Sequence, residues 1–359
     1  MKLPDLFELN PYELNYLKKE NILNSILFDL TRFHYNNCKE YRQILNAIEF
    51  NVKIECEYKK LPYLPVRLFK NLELKSIKFD DIIKTMTSSG TSGQTVSKIF
   101  LDKETAGNQT KVLTSIVSSF IGKKRMPMLI IDSETTIRNR NLFSARGAGI
   151  IGFSLFGSKK CFALDEKMNL NIDLVKNFIN DNKNEKILIF GFTYMIWQHL
   201  YKELIKNNLK LNLENSILIH GGGWKKLNHE NISNNLFKEK LLEQAGIINI
   251  HDYYGMVEQT GSIFFECEYG FLHSSIYSDI IIRRGFDFSE AFIGEKGIIQ
   301  VLSILPKSYP GHSILTEDEG MVIGIDDCKC GRMGKYFKIF GRLKNAETRG
   351  CSDTYENKQ

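Results

Sequence analysis

Lys186-Ile187-Leu188-Ile189-Phe190 and Ser216-Ile217-Leu218-Ile219 are short and almost wholly apolar. Runs this short, rich in β-branched residues, read as strands buried on both faces. Between them, Met195 to Lys206 places Ile196, Trp197, Leu200, Leu204 and Ile205 at helical spacing. Met128-Leu129-Ile130-Ile131 upstream and Ile247-Ile248-Asn249-Ile250 downstream repeat the strand pattern, and Asn231 to Gln244 supplies a further helix. Strand and helix in alternation mean βαβ units and a largely parallel sheet, so the fold class is α/β.

The pattern changes on both sides of that centre. Residues 1–85 read as mostly helical. Asn10-Pro11-Tyr12-Glu13-Leu14 sets a capping residue before a Pro at the first helical position, which predicts a helix start there. Glu20 to Phe33 carries Ile22, Leu23, Ile26, Leu27, Leu30 and Phe33 at helical spacing. From about 260, strand-like runs with turn signals take over, at Asp279 to Arg283, Gly297 to Leu302 and Gly320 to Ile325. The expected organisation is a helical region (1–85), an α/β region (86–260), a β-rich subdomain (261–342) and a short tail (343–359).

Composition narrows the function classes. The 359 residues are 43% apolar and 25% charged, which is ordinary for a globular protein with a large core. The net charge of +6 comes from Lys spread along the chain, with no arginine-rich stripe, so nucleic acid is not an expected partner. No apolar run reaches the ~18 residues of a membrane span. The start, Met1-Lys2-Leu3-Pro4-Asp5-Leu6-Phe7-Glu8, lacks a signal-peptide core, which leads us to expect a cytoplasmic protein. Seven cysteines, an odd number, favour metal or thiol chemistry over a disulfide framework.

Two clusters carry chemistry. Thr87-Ser88-Ser89-Gly90-Thr91-Ser92-Gly93-Gln94-Thr95-Val96-Ser97-Lys98 offers main-chain N–H groups, hydroxyls and one ammonium to anionic oxygens. It lacks Walker spacing, and read alone it is either a phosphate-gripping turn or a flexible linker. Cys267 and His273, with Cys328-Lys329-Cys330, make a Cys₃His set, the closed ligand field typical of structural zinc. The other reading is three buried free thiols and a surface imidazole.

The phosphate loop resembles that of the adenylate-forming superfamily, and four further stretches follow in that superfamily's order. His220-Gly221-Gly222-Gly223-Trp224-Lys225 resembles the glycine turn beside adenine. Tyr253-Tyr254-Gly255-Met256-Val257-Glu258 resembles the aromatic–Gly motif whose Glu assists magnesium. Thr316-Glu317-Asp318 resembles the motif whose acid holds the ribose, and Gly341-Arg342 the pair whose Arg contacts ribose or phosphate. The resemblance implies the large N-terminal domain of these enzymes, with parallel and mixed sheets, helices and a β-rich subdomain, and with the mobile C-terminal domain absent. It implies ATP and Mg²⁺ as cofactors. Ser88, Ser89, Gly90, Thr91, Ser92, Gly93, Gly221, Gly222, Gly223, Tyr254, Gly255 and Asp318 would bind the nucleotide, and Lys98, Glu258 and Arg342 would act in catalysis. For Glu258 the bland alternative is a helix-terminal acid, and for Arg342 a surface ion pair. The Cys…His…Cys-x-Cys arrangement is similar to that of phenylacetate–CoA-ligase-like members.

Few residues follow Arg342, and among them stands Arg349-Gly350-Cys351-Ser352-Asp353. A thiol beside an Arg can be partly ionised and could attack an acyl-adenylate. Without a family match it would be an incidental tail thiol. This combination resembles the LuxE-type acyl-protein synthetases, long-chain-fatty-acid–protein ligases with fatty acid substrates. The resemblance implies activation of a fatty acid as acyl-AMP, capture by Cys351 as a thioester, and delivery to an acyl reductase within a fatty acid reductase complex. The alternative is a ligase that hands its acyl group to coenzyme A or a carrier protein. A third reading, an inactive scaffolding subunit, is opposed by the intact motifs. Apolar residues of 149–156 and 190–194 are expected to line the acyl pocket.

Overall fold

The computed structural model describes residues 3–88, 96–138, 145–223 and 232–343. The strands β1 (Leu64–Pro65), β2 (Lys84–Thr87) and β3 (Lys98–Leu101) come first in the chain. Then come β4 (Met126–Ser133), β5 (Gly157–Leu164), β6 (Ile187–Phe192), β7 (Ser216–Gly221) and β8 (Asn249–Tyr254). The last are β9 (Phe264–Glu266), β10 (Leu272–His273), β11 (Ser278–Arg283), β12 (Gly297–Ser303), β13 (Ser313–Ile325) and β14 (Lys335–Arg342). The described residues form two compact units, one of those within 1–88, 94–120 and 255–347, the other of those within 121–254. The N-terminal helices and the β-rich stretch thus fall in one unit, although 170 or so residues of sequence separate them.

The second unit is the βαβ region. Its strands run β8-β7-β6-β4-β5, every pair parallel. All residues of β4, β6 and β7 are buried, as expected of strands covered on both faces. The crossovers that follow β5, β6 and β7 are the helices Ile172–Asp181, 193–206 and Asn234–Ala245. The second widens into a π turn at Ile196–Tyr201. The third begins where the Ser233 hydroxyl accepts from the Leu236 N–H at 3.2 Å and ends at Gly246, whose φ of 70° is left-handed. Each expected strand and helix is present within a few residues. Missed were β5 and the helices Ala145–Phe153 and Ile172–Asp181: β5 carries Lys159 and Lys160 on an edge strand, which breaks the apolar run.

The first unit holds an antiparallel array, β11-β12-β13-β14-β10-β9, with β1 added parallel to β13. β2 and β3 form a separate hairpin. The expected helix start at Asn10 is corrected: the helix runs Tyr16–Asn37, capped by Asn15, whose side chain accepts from the Lys18 N–H at 3.1 Å. Asn10 does accept from the Tyr12 N–H, and Glu13 from the Asn10 N–H, but these bonds close a single turn. The helix is pinned to the sheet by buried charge. Lys19 Nζ lies 3.3 Å from Asp279 Oδ1 and Lys335 Nζ 2.9 Å from Oδ2, and the Tyr58 hydroxyl donates to the same carboxylate. Breaking such a cluster by removing one member costs about 3–5 kcal/mol.

Candidate functional site

The stretch read as a phosphate loop joins β2 to β3 in sequence. Thr87 pairs with Lys98, the Ser88 N–H donates to Ser97 O at 3.1 Å, and the Ser97 N–H donates to Ser88 Oγ at 2.9 Å. Both ends of the loop are therefore fixed at Ser88 and Ser97. Ser89, Gly90, Thr91, Ser92 and Gly93 lie outside the described residues, as does Cys351. Lys98 is exposed, with its Nζ 3.3 Å from the equally exposed Glu73. A pair open to water is held by little free energy, so that ammonium can be redirected to an anion.

Glu258 lies in a one-turn helix, Val257–Gln259, and only 4% of it is exposed. Its backbone is braced. The Tyr309 hydroxyl donates to Glu258 O at 2.8 Å, and the Gln259 amide donates to Gly311 O at 2.8 Å and Val301 O at 3.2 Å. The Thr260 hydroxyl approaches Met86 Sδ of β2 at 3.9 Å. In the same unit Asp318 and Arg342 face each other across β13 and β14, with Nε 3.6 Å from Oδ1. The Asp318 N–H donates to Thr316 Oγ1, and the Thr316 hydroxyl donates to Ile299 O at 2.7 Å, fixing the start of that motif. An acid and a guanidinium at one sheet position suit ribose hydroxyls and phosphate oxygens.

In the other unit, β7 ends at Gly221, and Gly222 and Gly223 follow with φ of 84° and 67°. Space requires glycine at 221 and 222, and a left-handed backbone favours it at 222 and 223. A Cβ on Gly221 would stand 2.7 Å from the Tyr253 ring, and one on Gly222 2.5 Å from the Phe192 ring. Tyr254 ends β8, and Gly255, which is exposed, follows it in sequence. The Phe153 ring packs on Phe190 at 4.6 Å and on Tyr253 at 4.9 Å, so aromatic carbon gathers at the carboxyl ends of the parallel strands. Ligands of open α/β sheets bind at that edge.

The cysteine–histidine set comes together. Cys267 follows β9, His273 lies in β10, and Cys328 and Cys330 sit on the turn between β13 and β14. Tight turns present the sulfurs: the Gly270 N–H donates to Cys267 O and the Gly331 N–H to Cys328 O, each at 2.9 Å. The four ligand atoms all lie within 4.8 Å of one another, and Cys330 Sγ is 3.4 Å from His273 Nε2. Burial, with neighbouring thiols, pushes Cys328 up to about 12 and raises Cys267. Burial, with the Arg332 and Lys19 charges, pushes His273 down to about 3. Apart from a metal these groups stay neutral. A divalent cation would reverse that logic by drawing three thiolates onto itself. Three sulfurs and one imidazole, mostly buried and converging, fit a tetrahedral structural ion and leave no ligand position over for chemistry.

Sequence reasoning missed the residues that brace these motifs. Tyr309, Gln259 and Gly311 around Glu258 carry no periodic or spacing signal. The one local hint is Pro310-Gly311, which breaks a strand-like run at a position where a Cβ would meet the Tyr309 ring at 2.2 Å. Also missed was the buried pair of Asp132 and Arg146, bonded Nε to Oδ2 at 2.5 Å.

Residues 3–359 match the family described as acyl-protein synthetase, LuxE. A long-chain-fatty-acid–luciferin-component ligase of Aliivibrio fischeri is 25% identical over 371 residues, covering 98% of this chain and 92% of that one. A protein of the same name from Vibrio harveyi is 21% identical over 360 residues, covering 97% and 90%. Among solved structures, a 2-hydroxyisobutyryl-CoA ligase in an open conformation, in complex with 2-HIB-AMP and CoA, superposes with a TM-score of 0.71 at 13% identity, covering 94% of this chain and 78% of its own. At that identity the likeness shows the fold, that of adenylate-forming CoA ligases. Among the described residues no helix is long and apolar enough to cross a membrane.

Proposed function

The chain belongs to the LuxE acyl-protein synthetase family and is an acid–thiol ligase, and from that premise we propose that it activates a long-chain fatty acid with ATP and captures the acyl group on Cys351. The observation that carries the reading is the pairing of Asp318 with Arg342 across β13 and β14, in the same unit as the braced Glu258 and the hairpin ends Ser88 and Lys98. Joining a carboxylate to a triphosphate brings anions together, and this set supplies the cations and donors that the encounter needs.

In the first step a carboxylate oxygen attacks the α-phosphorus, the bond to the β-phosphate bridging oxygen breaks, and pyrophosphate leaves. Lys98, Arg342 and the loop amides at 88–93 orient the phosphates and offset the charge that accumulates on them. Asp318 holds the ribose, and the glycine turn 221–223 with Tyr254 receives the adenine. Glu258 would hold Mg²⁺, which supplies Lewis-acid charge to the phosphate oxygens when bound. In the second step the Cys351 thiolate attacks the acyl carbonyl carbon. The C–O bond to AMP breaks and AMP leaves, the thiol proton having passed to solvent when the thiolate formed. The thioester is then passed to an acyl reductase. Cys267, His273, Cys328 and Cys330 would hold a structural zinc ion.

The test is incubation of the protein with ATP, Mg²⁺ and labelled fatty acid. The chain should acquire a hydroxylamine-sensitive label that Cys351→Ser abolishes. Equal labelling of Cys351→Ser overturns the acceptor assignment, and AMP release that depends on coenzyme A and ignores that variant assigns the acyl group to coenzyme A instead.

A further inference from the structure

His220 lies in β7 directly before Gly221, Gly222 and Gly223. Its ring is 2% exposed and lies 4.7 Å from the ring of Phe237. Nδ1 is 2.9 Å from Thr193 Oγ1, and the same hydroxyl lies 3.1 Å from the carbonyl oxygen of Gly221. A carbonyl can only accept, so the single hydroxyl proton points to Gly221 and Thr193 must accept from the ring. The ring is thereby fixed as the Nδ1–H tautomer. Asp252 Oδ1, 3.7 Å from Nδ1, favours the proton at the same nitrogen. Burial, with the charges of Lys238 and His251, pushes the imidazole down to about 3, so it is neutral at physiological pH. Nε2 has no hydrogen-bond partner among the described residues. A buried ring with an unmet nitrogen costs stability that an apolar side chain of similar size would not, so its other nitrogen must earn its place.

We propose that His220 and Thr193 are positioning residues, whose chain Nδ1–H to Oγ1–H to O=C aims the Gly221 carbonyl and sets the path of the glycine turn. That carbonyl belongs to the peptide joining Gly221 to Gly222. Turning it would swing Gly222, which already passes so close to the Phe192 ring that a Cβ would stand 2.5 Å away. The left-handed Gly222 and Gly223 that follow have little torsional preference of their own, so an external bond must select their conformation. The inference rests on the proposed role of this turn in receiving ATP.

The experiment is calorimetric titration of the full chain with ATP in the presence of Mg²⁺, with melting temperatures recorded alongside. Thr193→Val keeps the volume and removes the hydroxyl, and Thr193→Ser keeps the hydroxyl. His220→Asn places an amide N–H near Nδ1, and His220→Gln near Nε2. Thr193→Val and His220→Gln should weaken ATP binding by roughly tenfold, the worth of one oriented hydrogen bond in a dry site. Thr193→Ser and His220→Asn should stay close to the parent. Equal affinity in all four variants, or lowered melting temperatures with unchanged affinity, overturns the proposal. If Thr193→Val does not fold, the His220→Asn and His220→Gln pair decides. A parent protein that takes up no ATP overturns the nucleotide reading itself, a result distinct from equal binding by parent and variants.

Discussion

Arg342 Nε stands 3.6 Å from Asp318 Oδ1, the two residues being direct partners in the β13–β14 ladder. Gly341 beside Arg342, with φ of 118°, lets β14 turn at that point. Two short motifs that lie well apart in sequence are thus held by main-chain pairing, so neither side chain needs the other to find its place. Arg342→Lys keeps the charge and loses the planar fork. It should lower the rate of acyl-adenylate formation by about 10²-fold or more, with little change in stability, if the guanidinium meets charge that develops in the reaction. Pyrophosphate exchange measures this. An unchanged rate would leave Arg342 as a strand-end ion pair.

Gly311 and Tyr309 give a steric prediction. Gly311→Ala puts a methyl group 2.2 Å from the Tyr309 ring and 2.9 Å from Glu258 O, both held from several sides. It should cost about 1–3 kcal/mol of stability and displace the Glu258 turn. Tyr309→Phe is milder, removing one hydrogen bond worth about 1 kcal/mol while the ring stays in place. Urea unfolding of both variants orders them, and Gly311→Ala as stable as the parent would contradict the packing described.

The sequence exposed what depends on local pattern. The apolar runs at 128–131, 187–190 and 216–219 are strands because a parallel strand buried on both faces has to be apolar throughout. The glycines at 221–223 and the Cys-x-Cys pair were legible because few residues other than Gly and Cys serve such positions. What could not be read was set by partners remote in sequence. Lys19 looks like a surface residue of an N-terminal helix, yet it is buried against Asp279, 260 positions away. Thr193 and Tyr309 matter through a single hydroxyl each, and a lone hydroxyl leaves no pattern in the chain. The helix start at Asn10 was misplaced because a capping motif closes a turn as readily as it opens a helix, and packing decides which.

Metal removal gives a third prediction. The purified chain should contain about one zinc ion. Stripping it with a strong chelator at neutral pH should lower the melting temperature markedly, since the ion joins the β9–β10 hairpin to the turn after β13 and its binding free energy is folding free energy. Cys328→Ser should reproduce the effect. Less than roughly a tenth of an equivalent of zinc in protein that is fully folded would leave the four groups as a metal-free cluster, in which burial already disfavours the charged forms of Cys267, Cys328 and His273.

Part of the pH dependence of stability follows from a buried histidine pair, beside the shares of His220 and His273. His34 stacks on His312 with ring centroids 5.0 Å apart, and its Nε2–H donates to Pro306 O at 3.0 Å while Nδ1 accepts from the Ser76 hydroxyl at 2.8 Å. Burial pushes His34 down to about 3, and burial with the charge of His34 holds His312 well below its ordinary value. In the unfolded chain both titrate near 6.5. Above that pH neither state binds the proton and the contribution to stability is complete. As the pH falls below about 6.5 the unfolded chain takes up protons that the folded one refuses, so stability declines by about 1.4 kcal/mol per pH unit for each histidine. Asp279, held below the carboxylate range by Lys19 and Lys335 against the penalty of burial, adds a loss of the same sign only below about pH 4. Denaturant midpoints at pH 7.5 and 5.5 should therefore differ clearly, and His34→Gln, which keeps a donor for Pro306 O and cannot titrate, should remove one proton's share of the slope. A slope unaltered by that substitution would place the acid-sensitive groups elsewhere in the molecule.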